Sequence, residues 1–210
     1  MLTATDAERL ERCIAAGGLA LFPADTVYGL ACRPDSEDAV ARLYALKGRR
    51  PDKPAAVMFF ALELALASIP ELGPRTVAAL GRLMPGGITA LVANRARRFP
   101  LACGPDPRTL GLRVPGLGPA LAALADVRQP LLQTSANLAG AADPRRLAEV
   151  SGPIRVGVDL MLDAGELPGT PSTVVDLRRF EDAGEWAILR EGAVPGADVA
   201  GALAGGGPSQ

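Results

Sequence analysis

Residues 19–29, Leu-Ala-Leu-Phe-Pro-Ala-Asp-Thr-Val-Tyr-Gly, set an apolar run against a polar turn. The run at 19–23 is too short for a helix and does not alternate, so it predicts a buried strand. Asp25, Thr26 and Tyr28 follow at once, which predicts a strand-to-helix turn presenting polar groups at the strand's end. Gly29 is the place in that turn for a positive φ or a close backbone approach.

Working outward, the same layout recurs. Thr5 and Glu8 have the spacing of a capping box that opens a first helix, closed by Gly17-Gly18. Ser36 caps a second helix, with Val40, Leu43 and Tyr44 at helical spacing, which runs into Lys47-Gly48. Strands are expected at 55–60, 88–93, 109–114 and 130–137. A helix is expected from Pro74 to just before Pro85, and a short one over 118–125. Asp143-Pro144 reads as the start of another helix. Further strands are expected in VDLMLDAG, STVVDL and EWAILR, with a hairpin turn at Glu181–Gly184. Alternating helices and strands define an α/β class, and the late run of strands predicts a mixed sheet. Residues 1–195 read as one domain. Residues 196–210, rich in Gly and Ala, read as a flexible C-terminal tail.

Composition removes several chemistries. The chain has no histidine, which excludes His-dependent hydrolysis and most zinc catalysis. Its three cysteines are scattered, so neither a disulfide framework nor a zinc site is expected. No apolar stretch is long enough to span a membrane and the first residues are charged, so a cytoplasmic protein is expected. A net charge of −1 argues against a dedicated non-specific nucleic-acid binder. Of 22 basic residues only Lys47 and Lys53 are lysines, and both fall in LKGRRPDKP. Asparagine is as rare: Asn94, and Asn137 in TSAN. A compact ammonium differs from a planar guanidinium, so keeping lysine in one loop marks a need for it there.

Four segments carry candidate chemistry. PADTVYG supplies Asp25, Thr26 and Tyr28. KGRRPDK places four cations in seven residues, suited to a polyphosphate. TSAN, with Ser135 and Asn137, supplies short polar side chains that either bind phosphate or ribose or cap a turn. The last is PSTVVD with ILREG, giving Ser172, Thr173 and Arg190. Arg113, in GLRVP, is another cation ending an apolar strand, suited to an anion or to a structural ion pair. No Walker loop or GxGxxG is present. Cations and hydroxyls without an obvious base fit nucleotide chemistry driven by positioning and charge stabilisation.

From about Ala16 to Pro195, these segments in this order resemble the YrdC-like threonylcarbamoyl-AMP synthases. PADTVYGL is similar to that family's PT(D/E)TVYGL, and KGRRPDKP to its KGRPxxKP. GLRVP, TSANLAG, PSTVVD and ILREGAV match as well. Ala24 stands where the family often has Thr, Arg50 where it often has Pro, and Ala141-Ala142 follow a reduced SANxSG. The resemblance is to the short, single-domain type.

It implies a twisted mixed sheet with flanking helices around a positively charged cavity. The implied reaction forms threonylcarbamoyl-AMP and pyrophosphate from L-threonine, bicarbonate or CO2, and ATP with Mg²⁺. Lys47 and Arg49 are the implied catalytic cations. Lys47, Arg49, Lys53, Ser135, Asn137 and Arg190 would bind ATP; Thr26, Arg113 and Ser172 would bind threonine. No protein metal ligand is implied. The implied partner is a transferase complex that moves the threonylcarbamoyl group to tRNA. Two other readings are a related enzyme with another acceptor, and an RNA-binding module of the same fold making weak RNA contacts.

Overall fold

The computed structural model describes residues 1–204 and arranges them about one nine-stranded mixed sheet. In chain order the elements are α1 (Ala4–Ala15), β1 (Ala20–Pro23), β2 (Tyr28–Cys32), α2 (Glu37–Lys47), β3 (Ala56–Met58), α3 (Leu62–Ser68), α4 (Pro74–Leu83), β4 (Ile88–Ala93), β5 (Thr109–Arg113), β6 (Leu131–Ser135), α5 (Gly152–Gly157), β7 (Leu160–Met161), β8 (Thr173–Asp176), α6 (Phe180–Ala183), β9 (Ala187–Arg190) and α7 (Gly196–Ala204). The sheet order is β7-β1-β2-β6-β3-β5-β4-β8-β9. The pairs β1–β7, β3–β5 and β4–β8 are parallel, and the others antiparallel.

Period-two alternation gives the two faces different fates. On one face Tyr28, Leu30, Val57, Leu112, Leu132 and Val175 form a continuous core with residues of α2, α3, α4, α5 and α7. The opposite face is half covered. There α1 lays Ala7, Leu10 and Ile14 against Phe22, Ala31, Met58 and Leu131. Beyond α1 the same face carries Gly29, Ala56, Gly111, Arg113, Thr89 and Ser135. No helix covers that stretch among the described residues, and the small residues leave a hollow.

Several expected elements are corrected. Residues 24–27 form a hairpin turn rather than a strand-to-helix turn: Phe22 pairs with Gly29, and the Ala24 N–H donates to the Val27 carbonyl. β2 is buried at every residue, so it shows no alternation to mark it. Gly29 is needed for space and not for φ, because a Cβ there would lie 3.2 Å from the Phe22 ring. The capping box of α1 is Thr3 with Asp6, two residues earlier than expected. α3 was not anticipated; seven residues without a side-chain cap give a weak signal.

Asp143-Pro144 opens no helix. Tyr28 N–H takes the Pro144 carbonyl, while Glu149 accepts from the N–H groups of Arg145 and Arg146, so this backbone is spent on the sheet and on a later 3₁₀ turn. Residues 122–126 are 3₁₀ rather than α-helical. Glu181–Gly184 does link an antiparallel pair, but through the one-turn helix α6, closed by Gly184 at φ 70°. The flexible tail expected from 196 is, over 196–204, the helix α7, which buries Val199 and Leu203 against the α4 side of the core. Residues 205–210 lie outside the described residues.

Candidate active site

The β1–β2 turn and the end of β5 meet at the open half of the sheet. Arg113, last residue of β5, is 4 % exposed. Its Nη2 donates to Asp25 Oδ1 at 2.5 Å and to Thr26 Oγ1 at 2.5 Å. Asp25 Oδ2 accepts from the Gly116 N–H at 2.9 Å, which ties the hairpin to the segment after β5. The guanidinium is thus fixed along one edge by a buried carboxylate. Its Nε is buried and meets no acceptor among the described residues. A buried donor without a partner costs about 1–3 kcal/mol.

The second cluster hangs from the end of α2. Gly48, in the left-handed region at φ 62°, closes the helix and turns Lys47 inward, where it is 2 % exposed. The Lys47 ammonium donates to the Ser135 carbonyl at 2.5 Å and to the Asn137 carbonyl and Oδ1 at 2.7 and 2.5 Å. Ser135 Oγ in turn donates to Asn137 Oδ1 at 2.6 Å. Lysine therefore pins the turn that follows β6. Burial first, and the nearby Arg49 charge second, bring the Lys47 ammonium down to about 8, against a smaller opposing pull from Asp143.

The loop after Gly48 is held from below. The Arg49 guanidinium lies 5.8 Å from the centroid of the Tyr44 ring, and its Nη2 donates to the Pro54 carbonyl at 2.6 Å. Tyr44 Oη donates to the Lys53 carbonyl at 2.9 Å. Arg49 Nε, like that of Arg113, is buried with no acceptor. Across the hollow, Arg190 Nη2 donates to the Ser172 carbonyl at 2.7 Å, and the Ser172 hydroxyl lies 2.8 Å from that of Thr89.

Two adjoining pockets result. One, of about 640 Å³, is lined by Lys47, Arg49, Lys53, Ser135, Asn137 and Arg190. The other, of about 180 Å³, includes Arg49, Arg113, Ser135, Ser172 and Arg190. Arg49, Ser135, Asp143 and Arg190 line both. The structure thus brings together every residue expected to bind substrate except Thr26; Tyr28 turns to the opposite face, its hydroxyl donating to Asp163, and the Thr173 hydroxyl donates to the Val194 carbonyl. Thr26 is 1 % exposed behind Arg113, its hydroxyl taken by the guanidinium. Three residues were missed. Asp25 carries no expected role, Asp143 is expected as a helix cap, and Gln133 falls within the expected strand 130–137 with no role of its own. An acid adjacent to Thr26 and a lone amide in an apolar strand were the available signals. Among the described residues no group of three or more Asp, Glu, Cys or His is placed to hold a metal ion, and none of the helices is long and apolar enough to cross a membrane.

The fold is thus a mixed α/β sheet with a hollow rimmed by lysine, arginine and hydroxyl side chains. The chain belongs to the Sua5/YciO/YrdC family, whose model, described as telomere recombination, matches residues 12–192. A threonylcarbamoyl-AMP synthase of Xanthomonas campestris is 34% identical over 170 residues, covering 79% of this chain and 89% of that protein. One of Pyrococcus abyssi is 31% identical over 183 residues, covering 85% of this chain; the chain spans only about half, 52%, of that longer relative. The fold also matches the crystal structure of P. abyssi Sua5 complexed with L-threonine, with a TM-score of 0.83 at 24% identity over 96% of this chain and 58% of that one.

Proposed function

We propose that this chain is a threonylcarbamoyl-AMP synthase, joining L-threonine, bicarbonate or CO2, and ATP into threonylcarbamoyl-AMP with release of pyrophosphate. The observation that carries this is the convergence of Lys47, Arg49, Arg113 and Arg190 with Ser135, Asn137 and Ser172 on two adjoining pockets. Such a set suits one carboxylate and one chain of phosphates, which the substrates supply. The relatives' name and the threonine held by the P. abyssi protein support the same assignment.

In this reading Arg113 and Ser172 receive threonine, with Thr26 acting through Arg113. Lys47 holds Ser135 and Asn137 in place for the nucleotide; for its ammonium to touch phosphate directly, one of its present bonds must exchange. Arg49, Lys53 and Arg190 face the phosphates. The neutral amine of threonine adds to CO2 and loses a proton, giving a carbamate. A carbamate oxygen then attacks the α-phosphorus, and pyrophosphate leaves with the electron pair of the broken P–O bond. No side-chain base is required at that step, because the nucleophile is already an anion. Fixed cations and alignment lower the barrier.

Mg²⁺ belongs here to the substrate, as Mg·ATP. Asp143 is the one carboxylate lining both pockets, which suits an ion bound mostly through phosphate oxygens and water. The product would pass, in the cytoplasm, to a complex that modifies tRNA. The test is pyrophosphate release with each substrate omitted in turn. Release that needs threonine, bicarbonate and ATP together supports the assignment; release indifferent to threonine refutes it.

A further inference from the structure

Gln133 stands in the middle of β6, and its 7 % exposure is onto the smaller pocket, which it lines with Arg113, Ser135 and Ser172. Its side-chain amide forms no hydrogen bond with any described residue, although the backbone of β6 is paired on both sides. Leucine or valine would fill an ordinary strand position here; the amide instead opens onto the polar wall of the pocket, where its donors are free for a ligand. Room is kept for it: Gly29, on the adjacent strand, has no side chain, and a Cβ there would lie 3.4 Å from Gln133 Oε1. The amide is two residues from Ser135 on the same face of β6, and Arg113 occupies the same wall from β5. It therefore lies between the group that holds the Lys47 turn and the group tied to Asp25.

We propose that Gln133 is a substrate-positioning residue that donates to the carbamate, orienting it toward the α-phosphorus; this rests on the function proposed above. The carbamate is the piece that joins the two ends of the pocket. A neutral amide suits it better than a cation, since a full positive charge on the carbamate would withdraw electron density from the attacking oxygen. The N–H would bind the oxygen that does not attack and leave the other free.

The test uses Gln133→Met, which keeps length and removes the donor, and Gln133→Glu, which places a negative charge beside the carbamate. Steady-state turnover is measured against bicarbonate, threonine and ATP, and threonine binding alone by calorimetry. For Gln133→Met a rise in bicarbonate KM of roughly ten-fold or more is expected, with a fall in kcat and with threonine Kd and ATP KM changed by less than about two-fold. Gln133→Glu should lose more turnover and still bind threonine. A threonine Kd weakened in parallel, or a changed preference for threonine over serine, would mean that the amide reads the amino acid instead. Unchanged bicarbonate KM in both variants would make it a packing residue; either result overturns the proposal. If the unmodified protein releases no pyrophosphate in a bicarbonate-dependent way, the function itself fails, a separate result that removes this proposal with it.

Discussion

Arg113 meets a carboxylate, whereas Lys47 meets only uncharged oxygens. At the first end of the pocket Asp25 neutralises the guanidinium and fixes one edge through Nη2, leaving the Nη1 and Nε N–H groups outside that bond. At the second end carbonyl, amide and hydroxyl oxygens order the ammonium without cancelling its charge. The first arrangement is stiff and suited to one small anion in one orientation. The second keeps a cation beside a wider space, suited to a polyanion. The difference predicts that damage at one end is felt in structure and amino-acid affinity, and at the other in rate and nucleotide handling.

The largest effect is expected from Asp25→Ala. It strands a buried guanidinium, so urea unfolding should reveal a loss of about 3–5 kcal/mol. If stability were unchanged, the pair would be solvated and the stiffness assigned to this end would be wrong. Next in size, Lys47→Ala should reduce adenylate formation about 10²–10³-fold, by loosening the Ser135–Asn137 turn and removing the charge. Lys47→Arg should restore only part of it, because a planar fork does not fit those oxygens. Near-normal turnover of Lys47→Ala at saturating ATP would make the lysine a bystander.

The same lysine supplies a pH test. Its ammonium is brought down to about 8, so activity should fall as pH rises through that value. In the Lys47→Arg variant the fall should disappear, since guanidinium stays charged. The folded protein gives up this proton before the unfolded chain does. The group therefore opposes folding at neutral pH, and that opposition fades between about 8 and the ordinary lysine value of 10.5.

A smaller and more selective effect is expected at the other cation. Arg113→Lys keeps a charge beside Asp25 but loses the planar fork of donors, so threonine KM should rise roughly ten- to a hundred-fold while ATP KM stays close to normal. Equal changes in both would erase the distinction between the ends. Smallest of all, Tyr44→Phe keeps the ring under Arg49 and removes the bond to the Lys53 carbonyl, a loss of about 0.5–1.5 kcal/mol. It should appear as a modest rise in ATP KM with threonine unaffected.

Much of this was legible in the residues. Strands with clear bounding turns, such as 88–93, and helices with a good cap, such as the one after Ser36, are found as read. The rarity of lysine and asparagine pointed at Lys47 and Asn137, which turn out to be bonded to each other. What was hidden depends on distant parts of the chain. Nothing local says that Arg113 is neutralised by Asp25, since that pair forms only when β5 lies across the hairpin. Asp143 has the local chemistry of a helix cap, but Tyr28 claims the neighbouring carbonyl. The helix at 196–204 looked like a tail because Ala and Gly hide its two anchors, Val199 and Leu203.

The central claim is that the two ends of one pocket hold the two halves of a single product. Its most direct test is mass analysis of the nucleotide formed from ATP, Mg²⁺, bicarbonate and threonine by the intact protein. AMP carrying a threonine carbamate, with labelled bicarbonate carbon retained in it, is the result predicted. Formation of ADP, of AMP alone, or of an adenylate without that carbon would contradict the account.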